Sequence, residues 1–376
     1  MKDLMKSFVY RGQAGKVVFG PGSLSQLGAE IEALGAKKTL VLCTPEQRAS
    51  AEQVADLLGA RAAGIFDRAV MHVPIETVHE IRDLARRLGA DCAVAIGGGS
   101  TTGLGKAIAL DSGLPIVAIP TTYAGSEMTE IYGITENGLK KTGRDPRVLP
   151  RTVIYDPELT LSLPVSLSVT SGINAIAHAA EGLYCVDSNP VMDVMAREGI
   201  AALARSLPLI CQSPANLAAR SDALYGAWLC GLVLNNVGMA LHHKLCHTLG
   251  GTFNLPHAET HTVVLPHALA YNAPNAPQSM AVIAEALNGA GSAGGTQQGV
   301  RSAAAAVFDL AQDNGAPVSL RALGMQEADL DKACDIALQN QYPNPRPLER
   351  VALRQLLQNA FDGRRPDYNR PVHLRS

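Results

Sequence analysis

Short apolar runs alternate with helical patterns through the first half of the chain. KKTLVLC (37–43) reads as a buried strand leading into a helix over ASAEQVADLLGA, and RAAGIFD (61–67) reads as a second strand. An amphipathic helix follows over PIETVHEIRDLARRLGA (74–90), then DCAVAIGGGS (91–100), a helix from Thr102 to Leu110, and LPIVAIPTT (114–122). Such alternation predicts a parallel sheet with helices on both faces. Beyond TVIYDPELTLSLP (152–164) the pattern changes. Ala- and Leu-rich segments such as VTSGINAIAHAAEGLY and AARSDALYGAWLCGLVLNNVGMALHHKLCHTL carry helix formers at helical spacing. The expected fold is therefore an α/β domain over 1–160 followed by an all-α domain over 161–376. The boundary lies near 157–164, where Pro157 and Pro164 bracket a short linker.

Two loops stand out at predicted strand ends. Gly97, Gly98, Gly99 and Ser100 come directly after a buried strand and before a helix. Glycine permits close backbone approach, and a helix N-terminus offers free N–H groups and a positive dipole end to a diphosphate. The spacing is not GxGxxG, and the loop follows the third or fourth strand rather than the first. PTTYAGSEMT (120–129) adds Thr121, Thr122 and Ser126 after the next strand. Ligands of open parallel sheets bind at the carboxyl ends of strands, so the pair predicts a dinucleotide-binding domain. At the end of LVLCTPEQR an acid that would hold the NAD ribose is replaced by Thr44, with Arg48 close by. Both NADH and NADPH are expected to serve, NADH slightly ahead. Lys106, one turn into the GGGS helix, either reaches a phosphate or is a solvated helix charge.

Composition narrows the field. At 376 residues the chain can bury a large core in two domains, and a formal net charge of -2 gives no reason to expect nucleic acid or an anionic membrane. Aromatics at 4% argue against base-stacking surfaces. The seven cysteines are scattered without a CxxC pair and read as reduced thiols. Cys246, between His243 and His247, is conceivable as a catalytic thiol but has no evident Asn or Asp partner. There is no signal-peptide core and no run of about 18 apolar residues. A cytoplasmic protein without a membrane partner is expected.

The densest histidine stretch is HHKLCHTLGGTFNLPHAETH, holding His243, His247 and His257. Upstream, Asn174 and His178 stand four apart in SGINAIAHAAE and share one face of a helix. Imidazoles with a carboxylate suit zinc or ferrous iron. Asn174 brings an amide where such a set would have an acid, so the residues read either as a weakened metal site or as the pocket of one. His72, His79 and His267 lack this support and are taken as structural.

The GGGS loop, the PTT loop, YDPELT and the HxxxH…PH stretch together resemble the iron-containing (group III) alcohol dehydrogenase family, strongly over residues 8–275. The resemblance implies a dinucleotide-binding α/β domain followed by a helical one, as in dehydroquinate synthase, and a homodimer. Its metal-dependent members carry an acid at the place of Asn174, histidines at those of His178, His243 and His257, and commonly an Asp where this chain has Gly103. GGGSTTGLGK, PTTYAGSEMTEIYGIT, KKTGRDPRVLPRTVIYDPELT and TSGINAIAHAAE are instead similar to the branch that reduces maleylacetate to 3-oxoadipate without a metal, in the breakdown of aromatic and chloroaromatic compounds.

On that reading His243, with His178 or His257, takes over the electrophilic role of the ion, and His247 or water protonates carbon. The substrate, a small dicarboxylate, asks for cations or N–H donors. Lys140, Lys141, Arg144, Arg147 and Arg151 form a basic run that either serves this or is a solvated loop; Lys140 is assigned to the cofactor, and Arg144, Arg147, Lys244 and Tyr132 to the substrate. The alternatives are an iron- or zinc-dependent alcohol or polyol dehydrogenase, a phosphate-eliminating synthase using NAD transiently, and a non-catalytic nucleotide-binding scaffold. Chelator sensitivity separates the first, and net consumption of NAD(P)H excludes the second.

Overall fold

The computed structural model describes residues 15–136, 139–289, 301–339 and 342–366, together with residues 8, 10 and 12. Two compact units emerge, one built on Arg11–Pro164 and Pro214–Asn235, the other on Val165–Ser213 and the chain from Asn236 onward.

The first unit is a six-stranded sheet of β1 (Lys16–Phe19), β2 (Thr39–Leu42), β3 (Ala62–Phe66), β4 (Cys92–Gly97), β5 (Ile116–Pro120) and β8 (Thr152–Tyr155). Its order is β1-β8-β5-β4-β2-β3, and every pairing is parallel. Alternation decides which face each side chain covers. Val41, Val94, Ile96, Val117 and Ile119 pack on Leu27 and Ile31 of α1 (Leu27–Ala33) and on Val54 of α2 (Arg48–Leu58). Leu40, Leu42, Ala93, Ala95 and Ile116 face Val78 and Ile81 of α3 (Ile75–Leu88) and Leu104 and Ile108 of α4 (Gly99–Ser112). The inner strands β2, β4, β5 and β8 are buried on both faces, which is why β2, β4 and β5 read as continuous apolar runs. Apart from this sheet, β6 (Ile131–Glu136) and β7 (Leu139–Arg144) form an antiparallel hairpin.

Helix α7 (Leu217–Asn236) belongs, through Asn235, with this α/β unit. Its Trp228 ring lies 6.3 Å from Phe19 and 6.2 Å from Tyr155. Arg220, fully buried, donates to the carbonyls of Pro214 and Leu163 at 3.0 and 3.1 Å.

The second unit is helical: α5 (Val165–Tyr184), α6 (Pro190–Gln212), α8 (Leu241–Phe253), α9 (His257–Asn272), α10 (Pro277–Asn288), α11 (Ala303–Asp313), α12 (Leu330–Leu338) and α13 (Arg350–Asp362). Asn189 caps α6 through the amide of Met192 at 3.1 Å. Leu245 and Leu249 of α8, Val263 and Val264 of α9, Leu330 of α12 and Leu353 and Leu357 of α13 share one apolar core. Among the described residues no single helix is long and apolar enough to cross a membrane.

Candidate active site

Three loops meet at the carboxyl edge of adjacent strands β5, β4 and β2, and the direction of winding reverses between β4 and β2. That is where an open α/β sheet leaves a crevice for a ligand. Gly97 ends β4 at φ +149°, and a Cβ there would lie 2.5 Å from Gln47 Oε1 and from Thr101 Oγ1. Gly98 precedes α4, with Thr122 Cγ2 only 3.0 Å from an ideal Cβ. Gln47 joins the loops: its Nε2 donates to Thr121 Oγ1 at 2.7 Å, and Thr44 Oγ1 donates to its Oε1 at 3.4 Å. Glycines that let backbone approach, the hydroxyls of Thr44, Thr101, Thr121 and Thr122 and a 14-residue helix presenting its N-terminus fit a dinucleotide diphosphate. Gln47 carried no such signal in the sequence.

Lys106 neither reaches for phosphate nor sits in solvent. It is 1% exposed, and its Nζ donates to Ser126 O at 2.7 Å, Thr129 Oγ1 at 2.8 Å and Ile131 O at 2.8 Å. Burial pushes its pKa down to about 7, with Glu127 pulling it back up. The three acceptors match the three N–H bonds of an ammonium, so Lys106 fastens the PTT loop to α4. Gly103 lies under Val73: a Cβ would meet Val73 Cγ2 at 2.9 Å, and Val73 is itself left-handed at φ 47°. A side chain at Gly103 would therefore press on Val73.

In the helical unit the histidines converge. Asn174 and His178 are 3% and 4% exposed on α5, and the His178 ring stacks on His243 of α8 with centroids 5.1 Å apart. His247, exposed, has its ring 6.2 Å from that of His243. His257, half-buried at the start of α9, lies 4.3 Å from the ring of His261. Three neighbours escaped the sequence reading: Glu181, His242 and His261, all fully buried. His261 is one turn beyond His257, and its ring is 5.0 Å from that of His243. Glu181 accepts from His243 Nδ1 at 2.6 Å and from the backbone amides of Ala240, His242 and His243 at 3.0, 2.8 and 3.3 Å. A periodicity search sees Glu181 only as another position on an Ala-rich helix.

Several buried polar atoms here have no hydrogen-bond partner among the described residues: Asn174 Oδ1, His178 Nδ1, His243 Nε2 and both ring nitrogens of His261. Native interiors rarely leave such atoms unpaired, so a polar ligand belongs among them. Burial pushes the His178 and His261 imidazoles well below the ordinary range. It also pushes His243 well down and Glu181 up. Both shifts act against separate charges on Glu181 and His243.

Other expected residues stand elsewhere. Arg144 on β7 donates to Asn235 O at 2.8 Å and pairs with Glu130 at 3.4 Å, and Arg147 is clamped by Asp145. Lys141 pairs with Glu136, and the side chain of Lys140 lies outside the described residues. Tyr132 lies across the hairpin from Gly143, and Lys244 Nζ sits 5.7 Å from the Tyr342 ring centroid. Cys246 is buried, and burial raises its thiol well above the ordinary range, the reverse of what a nucleophile needs.

The crevice at the β4–β2 reversal and the histidine cluster are those of a nicotinamide-dependent oxidoreductase architecture. The chain belongs to the iron-containing alcohol dehydrogenase family, which matches residues 14–157, with the C-terminal part of the Fe-containing alcohol dehydrogenase family matching 168–361. As such it is an oxidoreductase. It is 63% identical over 362 residues to the maleylacetate reductase of Burkholderia cepacia, covering 96% of this chain and 100% of the relative. It is also similar to the crystal structure of maleylacetate reductase from Agrobacterium tumefaciens (52% identity, TM-score 0.90). A third similar protein is the maleylacetate reductase of Rhizobium sp. strain MTP-10005 (51% identity, TM-score 0.90). Each of these structures covers 96% of this chain and is itself covered in full, 100%.

The family's name carries iron, and the unpaired atoms here offer imidazole nitrogens and an amide oxygen but no free carboxylate. Ferrous iron in open sites is held by imidazoles with a carboxylate. Asn174 presents a neutral amide oxygen, and the nearby Glu181 has both oxygens taken up by N–H donors. Among the described residues, the imidazoles with ring nitrogens within 4.8 Å of one another are those of His242, His243 and His261. His242 Nε2 is 3.1 Å from the carbonyl of His261, and His243 Nδ1 is held by Glu181. A divalent ion there would meet neutral ligand atoms, and the nearest carboxylate, Glu181, would act on it only through His243.

Proposed function

We propose that this chain reduces the C=C of maleylacetate to give 3-oxoadipate, with NADH slightly ahead of NADPH and without a metal, in the degradation of aromatic and chloroaromatic compounds. The observation that carries the reading is the set of unpaired buried atoms on Asn174, His178 and His243, joined to full-length similarity to maleylacetate reductases.

The substrate's alkene is conjugated to a ketone. Held by the GGGS and PTT loops, NADH or NADPH would supply a hydride for the alkene carbon remote from that ketone. Negative charge then develops on the ketone oxygen, where His243 Nε2–H, with His178 or His257, donates a hydrogen bond. A preorganised donor of this kind contributes about 3–4 kcal/mol. His247, exposed and one helical turn from His243, or solvent beside it, delivers the proton to the carbon next to the ketone. Arg48 is held by Glu52 at 2.9 Å and Asp67 at 2.8 Å, which counters its charge and supports NADH over NADPH. Lys244 is the cation nearest in sequence to His243 and serves the carboxylates. A cytoplasmic homodimer with no nucleic-acid or membrane partner completes the reading.

Oxidation of NADH and NADPH by maleylacetate, followed by absorbance with the product identified by mass spectrometry, tests it. Conversion to 3-oxoadipate supports the reading. Inert maleylacetate, with alcohol oxidation by NAD+ that needs added iron or zinc, overturns it in favour of a metal-dependent alcohol dehydrogenase.

A further inference from the structure

We propose that Glu181 is a positioning residue for this reduction: it fastens the His243 ring by Nδ1, so that Nε2 is the ring atom presented to the substrate. The inference rests on the proposed function and deepens it. Glu181 stands on α5, three residues after His178, and is 0% exposed. Its 2.6 Å contact to Nδ1 is shorter than an ordinary neutral hydrogen bond.

The geometry leaves the ring little choice. Nδ1 is taken by Oε2 of Glu181, and the His178 ring covers one face with centroids 5.1 Å apart. The edges of the His242 and His261 rings close on it at 5.0 Å each. The same carboxylate accepts three amides at the start of α8, so the helix that carries His243 and the ring itself hang on one buried group. Rotating the ring to present Nδ1 would break the short contact and leave a buried carboxylate oxygen under-used. Imidazoles held by a carboxylate at one nitrogen and working through the other recur wherever a histidine must keep one orientation.

A residue that only caps α8 would satisfy part of this description, and two substitutions separate the roles. Glu181→Gln keeps the size and one acceptor oxygen for the cap but cannot give a carboxylate to Nδ1. Glu181→Asp keeps the carboxylate and shortens the reach. With maleylacetate and NADH, Glu181→Gln should lower kcat on the order of 100-fold with KM changed less than about threefold, and Glu181→Asp should recover about tenfold of it. The proton NMR spectrum of the unsubstituted protein without substrate should hold a far-downfield N–H resonance assigned to His243 by its loss in His243→Gln. That resonance should vanish in Glu181→Gln. Its absence from the unsubstituted protein, or kcat losses in the two variants that merely follow their loss of folded protein, would overturn the proposal. The resonance is read without substrate, so it is independent of whether maleylacetate is reduced; failure of that turnover would instead overturn the function on which the inference builds.

Discussion

The ammonium of Lys106 lies 2.8 Å from the hydroxyl of Thr129, and with its bonds to Ser126 and Ile131 it ties the PTT loop to the helix that begins at the GGGS loop. The two loops are thus joined through one buried side chain. Lys106→Met removes the cation and leaves buried carbonyls without donors, a loss of about 2–4 kcal/mol of stability. Denaturant unfolding should show it, and fluorescence titration should show NADH binding weakened about tenfold. Unchanged affinity in a folded variant would free Lys106 of any part in shaping the cofactor site.

Gly97 is the glycine whose replacement should be felt most directly at the cofactor. Its φ of +149° disfavours a side chain, and a Cβ would press within 2.5 Å of both Gln47 and Thr101. The variant Gly97→Ala should lose about 1–3 kcal/mol of stability and displace Gln47 from Thr121. Dissociation constants for NADH, measured beside the melting temperature, should rise by at least about tenfold.

Acid should destabilise the protein through histidines that fold neutral. His267 is 4% exposed, and burial pushes its pKa down from 6.5 to about 4. Above pH 6.5 neither state binds the proton and the group is silent. Between pH 6.5 and 4 the unfolded chain binds a proton that the native one refuses, so stability falls as pH falls, by about 3 kcal/mol for this residue. His242, also pushed down to about 4, acts in the same direction. Denaturant unfolding across this range should show the loss, and His267→Gln should lose less.

Asn174 is the residue that sets the donor chemistry. Asn174→Asp restores an anion beside His178 and His243, and carboxylate with imidazole is a donor set for zinc or ferrous iron. The variant should take up about one divalent ion per chain, measured by elemental analysis after dialysis. Its turnover of maleylacetate in chelator should fall at least about tenfold, because a buried carboxylate repels the enolate. A variant that binds no more metal than the unsubstituted chain would show that the amide is not what governs the site.

Much of the fold was legible because its signals are local. β2, β4 and β5 are buried on both faces, so they stand out as apolar runs, and the loops after β4 and β5 were found from glycine and hydroxyl content alone. His178 was singled out by its spacing from Asn174, and His243 by the histidine-dense stretch and the family resemblance. What escaped depends on tertiary contact. Lys106 reads as a phosphate ligand or a solvated charge until acceptors from the PTT loop and the start of β6 surround it. Glu181 and His261 look like ordinary helix positions until α5, α8 and α9 pack. The return of α7 to the α/β unit is written in Trp228 and Arg220, which reach partners as far as 57 residues (Leu163 to Arg220) and 209 residues (Phe19 to Trp228) away in sequence. The basic run, prominent in sequence, is largely consumed by Glu130, Glu136 and Asp145.

The central claim is that these histidines do, by hydrogen bonding, what a metal does in related enzymes. The direct test is the rate of NADH oxidation with maleylacetate by protein exhaustively treated with chelator, with its iron and zinc content measured on the same sample. An unchanged rate at far less than one metal ion per chain is the predicted result. Loss of activity that returns on adding ferrous iron or zinc would contradict the account.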